Sequence, residues 1–107
     1  FFTIPYGEKP TRFDRSHLKS SSNVSRASNR TICPQRRSID ADEQIDEDCL
    51  TLNLFLPRHH LHERKAILVF IHGGSNQVGS GAQFDGTALA AFGDVIVITI
   101  NYRLNLF

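Results

Sequence analysis

Leucines at positions 50, 52, 54 and 56 alternate with Thr51, Asn53 and Phe55 until Pro57 stops the run. A period of two is the spacing of side chains along a strand, so this stretch predicts a β-strand with one face buried. Residues 66–71 form an unbroken apolar run instead, which predicts a strand buried on both faces, as in a parallel sheet. Residues 95–100 read as a second such strand. Between the two, residues 85–93 predict a short helix ended by Gly93. Strand, glycine-rich loop, helix and strand together make a crossover unit. The fold class is therefore α/β, and parallel strands would set the glycine loop at the carboxyl end of the first one, where open sheets bind ligands.

The amino-terminal half is less regular. Pro5, Gly7 and Pro10 argue for an extended, turning segment over residues 1–14. Residues 16–28 are serine-rich, with Leu18 and Val24 as the sizeable apolar side chains, and predict an exposed loop. A second solvated loop is expected from Pro34 through Arg36, Arg37 and the acidic run that follows, between Cys33 and Cys49. Residues 58–65 form a polar connection. Its His59, His60 and His62 have no carboxylate or cysteine at a clamping distance in sequence, so they read as loop residues and no metal site is expected.

Composition narrows the function classes. Among 107 residues, twelve basic side chains face eleven acidic ones for a net charge of +1, so neither a nucleic-acid groove nor a polybasic membrane patch is indicated. The apolar runs are far short of the roughly 20 residues that a membrane span requires. The chain opens on Phe1-Phe2 and closes on Leu106-Phe107 without an evident start or polar tail, and is expected to be a fragment of one domain, residues 1–107, cut at both ends. Two cysteines and the sequons at Asn23 and Asn29 point to a secreted or cell-surface glycoprotein.

The chemistry is concentrated where the first apolar run opens into His72-Gly73-Gly74-Ser75. Glycines without a Cβ let main-chain N–H groups approach a reacting carbonyl, which is how an oxyanion hole is built. Ser75 and Ser80 invite a reading as nucleophiles, the latter within Gly79-Ser80-Gly81, but small loop residues are the better account.

These motifs resemble the type-B carboxylesterase and cholinesterase family. Glu47-Asp48-Cys49-Leu50-Thr51-Leu52-Asn53-Leu54-Phe55-Leu56-Pro57 is similar to that family's EDCL signature, and Ile4-Pro5-Tyr6-Gly7 with Arg12-Phe13 to its early segment. Cys33-Pro34-Gln35, Phe84-Asp85-Gly86 and Asn101-Tyr102-Arg103-Leu104 follow in the family's order. The resemblance implies the amino-terminal part of an α/β-hydrolase, with a central, mostly parallel sheet and a surface loop closed by a Cys33–Cys49 disulfide. It also implies an ion pair between Arg12 and Glu47. In function it implies a serine ester hydrolase that needs no cofactor and acts on small-molecule esters, with Gly73, Gly74 and Ser75 supplying the oxyanion-hole loop.

The family's GxSxG elbow is absent from these residues, so nucleophile, acid and base are expected outside the chain, and none of His17, His59, His60, His62 or His72 is assigned to a triad. Serine at position 75 also resembles the loop of the neuroligins, catalytically inactive adhesion proteins of the same fold that bind protein partners. The chain has no tryptophan to face a quaternary ammonium, which disfavours a choline ester.

Overall fold

A computed structural model describes residues 1–20, 31–36, 43–58 and 64–107. A four-stranded sheet organises it, in the order β1-β4-β6-β5. β4 (Thr51–Phe55) is flanked by β1 (Phe2–Pro5) and β6 (Ile96–Ile100), and β5 (Ile67–Ile71) closes the other edge. Between β5 and β6 lies the helix α1 (Thr87–Gly93). A two-residue pairing joins β2 (Thr31–Ile32), just ahead of Cys33, to β3 (Gln44–Ile45) inside the disulfide loop.

The expectation of a mostly parallel sheet is not met among these strands. β5 runs parallel to β6, whereas β1 and β6 both pair antiparallel with β4. Parallel neighbours need a long crossover that usually contains a helix, and the connection from β5 to β6, which carries α1, is one.

β4 keeps its predicted alternation, but the buried positions are Thr51, Asn53 and Phe55, with Leu52 and Leu54 half-buried. Hydropathy alone would turn the leucines inward. The polar face tolerates burial because it is hydrogen-bonded, as buried polar groups must be. Thr3 Oγ1 donates to Asn53 Oδ1 at 3.1 Å, and Asn53 Nδ2 donates to Thr99 Oγ1 at 3.2 Å. These three residues stand opposite one another in register across β1, β4 and β6. At the end of the same face Phe55 packs with Val97 and Ala90, joining α1 to the sheet.

β5 also departs from expectation. Its run was predicted to be buried on both faces, yet Ile67 and Ile71 are 61% and 64% exposed. A strand's side chains are buried by what packs on its faces, and among the described residues α1 packs on Phe55 and Val97 of β4 and β6, leaving most of β5 uncovered at the sheet edge. α1 begins two residues later than predicted. Gly93 is its last residue, and Asp94 takes the left-handed position after it with φ 52°. Lys65 Nζ holds that aspartate at 2.6 Å.

The predicted disulfide is present. Cys33 and Cys49 are bonded with their Cα atoms 5.0 Å apart, and both are buried against Leu104 and Tyr102. No helix among the described residues is long and apolar enough to cross a membrane.

Candidate functional site

β5 delivers the chain into residues 72–81 at its carboxyl end. His72 is the anchor, 3% exposed. Its ring stacks on Tyr102 with centroids 4.3 Å apart, and the Tyr102 hydroxyl donates to the His72 carbonyl at 2.6 Å. His72 Nδ1 lies 2.9 Å from the Gly73 carbonyl oxygen. A carbonyl only accepts, so Nδ1 carries the proton and donates. Nε2 is buried and finds no partner among the described residues.

Beyond His72 the backbone turns sharply. Gly74, Ser75 and Asn76 take φ of 119°, 54° and 57° in succession. The Gly74 carbonyl closes the turn by accepting from the amides of Gln77 at 2.9 Å and Val78 at 3.2 Å. A Cβ on Gly74 would collide with the Val78 carbonyl, whereas one on Gly73 would meet nothing within 4 Å. The turn therefore demands glycine at 74 and has room for a side chain at 73. Residues 73–77 are exposed, and among the described residues the N–H groups of Gly74 and Ser75 have no acceptor. Consecutive N–H groups on left-handed backbone form a concavity suited to an anion.

Three residues grip this loop from outside. Gln35, two residues past Cys33, binds Gly79 through both ends of its side-chain amide. Asn105 follows β6; its amide donates to the Asn76 carbonyl at 2.8 Å and its Nδ2 to the Gln77 carbonyl at 3.1 Å. Asn101 is a buried hub. Its Oδ1 accepts from Gly81 N at 2.8 Å, and its Nδ2 donates to the Thr31 carbonyl and to Thr51 Oγ1. Sequence reading quoted Gln35, Asn101 and Tyr102 as parts of motifs and gave them no task, and it missed Asn105. Polar residues beside glycine loops were the available signal.

The serines separate clearly. Ser75 is exposed on the turn, whereas Ser80 is 1% exposed and its Oγ donates to Glu43 Oε1 at 3.1 Å. Ser80 is thus closed to a substrate. His17 lies on the surface, remote in sequence from the loop, while His59, His60 and His62 and the sequons at Asn23 and Asn29 fall outside the described residues. Among the described residues no cluster of His, Cys, Asp and Glu could hold a metal ion.

An ion pair and a hydrogen bond lie beside the disulfide loop. Arg12 donates through Nε to Glu47 Oε1 at 2.8 Å and forms a second, closer contact through its other guanidinium nitrogen. The Glu47 carboxylate raises the pKa of Arg12 further above its ordinary value. Arg12 is exposed and Glu47 half-buried, so the pair sits at the surface and orients the segment more than it stabilises it. Tyr6 donates its hydroxyl to the Asn101 carbonyl at 2.6 Å, and burial raises its pKa against the opposing pull of Arg103.

The chain is similar in sequence to several known hydrolases. Carboxylesterase 3B of Mus musculus is 52% identical over 64 residues, which are 59% of this chain and 11% of that protein. The medium-chain fatty acyl-CoA hydrolase precursor of Anas platyrhynchos is 47% identical over 64 residues, 59% of this chain and 12% of its own. Cocaine esterase of Oryctolagus cuniculus is 46% identical over 63 residues, again 12% of its length. The chain thus spans 11–12% of the length of these relatives. The model describing the carboxylesterase family matches residues 1–107, and the chain belongs to that family, whose fold is the α/β-hydrolase.

Proposed function

We propose that this chain is part of a secreted serine ester hydrolase and contributes its oxyanion-binding loop. The observation that carries the reading is the exposed pair of N–H groups on Gly74 and Ser75, free of protein acceptors among the described residues and set on left-handed backbone. When a serine attacks an ester carbonyl, the carbonyl oxygen becomes an anion. Preorganised N–H donors stabilise that charge more than they stabilise the ground-state carbonyl. Gly73 leads the chain into the loop, Gly74 makes the sharp turn, and Gly74 and Ser75 supply the donors. A histidine assisted by an acid takes the serine proton and later returns it to the leaving alcohol. Those groups belong to segments other than these 107 residues.

A small carboxylic ester is the substrate class, in keeping with relatives named as carboxylesterase and cocaine esterase. The disulfide supports an oxidising compartment, where Asn23 and Asn29 would carry glycans. One observation favours a second reading. Ser75 holds φ 54° without a glycine's freedom, so this turn does not need the fourth glycine common among hydrolytic relatives, and an inactive, neuroligin-like adhesion domain would preserve the same loop. Reaction of the full-length protein with a fluorophosphonate probe separates the two. Covalent labelling supports the hydrolase, and absence of labelling in correctly folded protein supports the adhesion domain.

A further inference from the structure

We infer that Gln35 is a positioning residue for the Gly74 N–H, so that the disulfide loop sets the geometry of the oxyanion-binding turn; this inference rests on the function proposed above. Gln35 is half-buried and spends its whole amide on backbone. Nε2 donates to the Cys33 carbonyl at 3.2 Å and to the Gly79 carbonyl at 3.0 Å, while Oε1 accepts from Gly79 N at 2.9 Å. A side-chain amide used at both ends cannot rotate without losing bonds. Its root is fixed as well, since Cys33 is tied to Cys49.

What Gln35 holds is the return arm of the loop. Gly79 has φ 118° and lies so close to its neighbours that a Cβ there would overlap His72 Nδ1 and come within 2.7 Å of the Gly73 oxygen. The Gly73 carbonyl is thereby confined between Gly79 and the His72 Nδ1–H that it accepts. That carbonyl and the Gly74 N–H are the two ends of one planar peptide unit. Fixing the oxygen therefore aims the N–H. The path runs from Cys33 through Gln35 and Gly79 to the Gly73–Gly74 peptide, by covalent bonds, hydrogen bonds and close contact throughout.

Replacement by glutamate gives a test that a merely structural contact would not pass. In the full-length protein, Gln35→Glu keeps the size and the acceptor for Gly79 N. As a carboxylate it has no donor, and it opposes the carbonyls of Gly79 and Cys33. Once protonated it regains one O–H donor beside its acceptor. At pH 8 kcat and the rate of fluorophosphonate labelling should fall about 10- to 100-fold with KM little changed, the range expected for a displaced donor. The variant-to-wild-type ratio should climb as pH falls towards the glutamate range, which begins above its ordinary value of about 4.3 because the neutral acid is the hydrogen-bonded form. His72, in contact with Gly79, and Glu43, bound to Ser80, are titratable groups beside the clamp, and Gln35→Met keeps both without the new carboxylate, so a recovery confined to Gln35→Glu belongs to residue 35. Gln35→Met should show the same loss without recovery.

A ratio near one at pH 8, a ratio flat with pH, or an increase in KM alone would overturn the inference while leaving the hydrolase reading intact. Amide hydrogen exchange over residues 73–81 reads the clamp without catalysis. If the wild-type protein does not label, the hydrolase reading fails by itself. Loss of protection in Gln35→Glu at pH 8 would still support the clamp, and unchanged protection would overturn it.

Discussion

Tyr102 holds His72 twice, through a ring stack at 4.3 Å and through a hydroxyl 2.6 Å from its carbonyl. The two contacts secure the point where β5 gives way to the glycine turn. Tyr102→Phe keeps the stack and removes the hydrogen bond, leaving the carbonyl of a buried residue short of an acceptor's partner. Urea unfolding of the full-length protein should show a loss of about 1 kcal/mol. A variant as stable as the wild type would mean that the ring alone does the anchoring.

Ser75 occupies left-handed backbone where an L side chain is disfavoured by roughly 1–2 kcal/mol. Ser75→Gly relieves that strain, but glycine also gives the unfolded chain more freedom, which returns part of the gain. The expected result is a change of less than about 1 kcal/mol towards stability. Hydrolytic rate should be retained, since it is the amide that donates. A large loss of rate would assign the work to the Ser75 hydroxyl.

Removal of the Cys33–Cys49 bond, whose cysteines are 16 residues apart, should destabilise the protein by about 3 kcal/mol in the chain-entropy description. Paired Cys33→Ser and Cys49→Ser substitutions, compared by thermal unfolding, check the size of the effect. Gel mobility under non-reducing conditions checks that the bond was present.

Asp85 offers a pH test away from the loop. Its Oδ1 accepts from Thr87 N at 2.8 Å at the start of α1, and hydrogen bonding to Thr87 lowers its pKa below the usual 3.8. A lowered folded-state pKa contributes stability above the unfolded value and loses it as pH falls through the folded one. Because the carboxylate is exposed, the contribution is small, about 0.5 kcal/mol for Asp85→Ala at neutral pH. The gap between wild type and variant should close at acid pH below the ordinary aspartate range. A gap that persists there would show that the charge plays no part.

Much of this architecture is legible in the sequence, and the exceptions have physical causes. Period-two spacing located β4, and the apolar runs located β5 and β6. Which face of β4 turns inward was not legible, because Asn53 is buried by partners on two other strands, Thr3 and Thr99, that lie 50 and 46 residues away. The antiparallel pairings were hidden for the same reason. Strand order depends on long-range register, and local periodicity carries no information about it. The glycine loop stood out as a motif, yet sequence could not tell Gly73, which has open space beside it, from Gly74, which has none. The tasks of Gln35, Asn101 and Asn105 were invisible because an amide in a loop looks solvated until the backbone it binds is in place.

The most direct test of the oxyanion-binding role compares Gly73→Ala with Gly74→Ala in the full-length protein, measured as the rate constant for fluorophosphonate labelling. A Cβ at 73 meets open space and one at 74 meets the Val78 carbonyl, so the first variant should label at close to the wild-type rate. The second should label about 100-fold more slowly or beyond, as when an oxyanion donor is lost. Equal rates for the two variants, or no labelling of the wild-type protein, would contradict the role assigned to this turn.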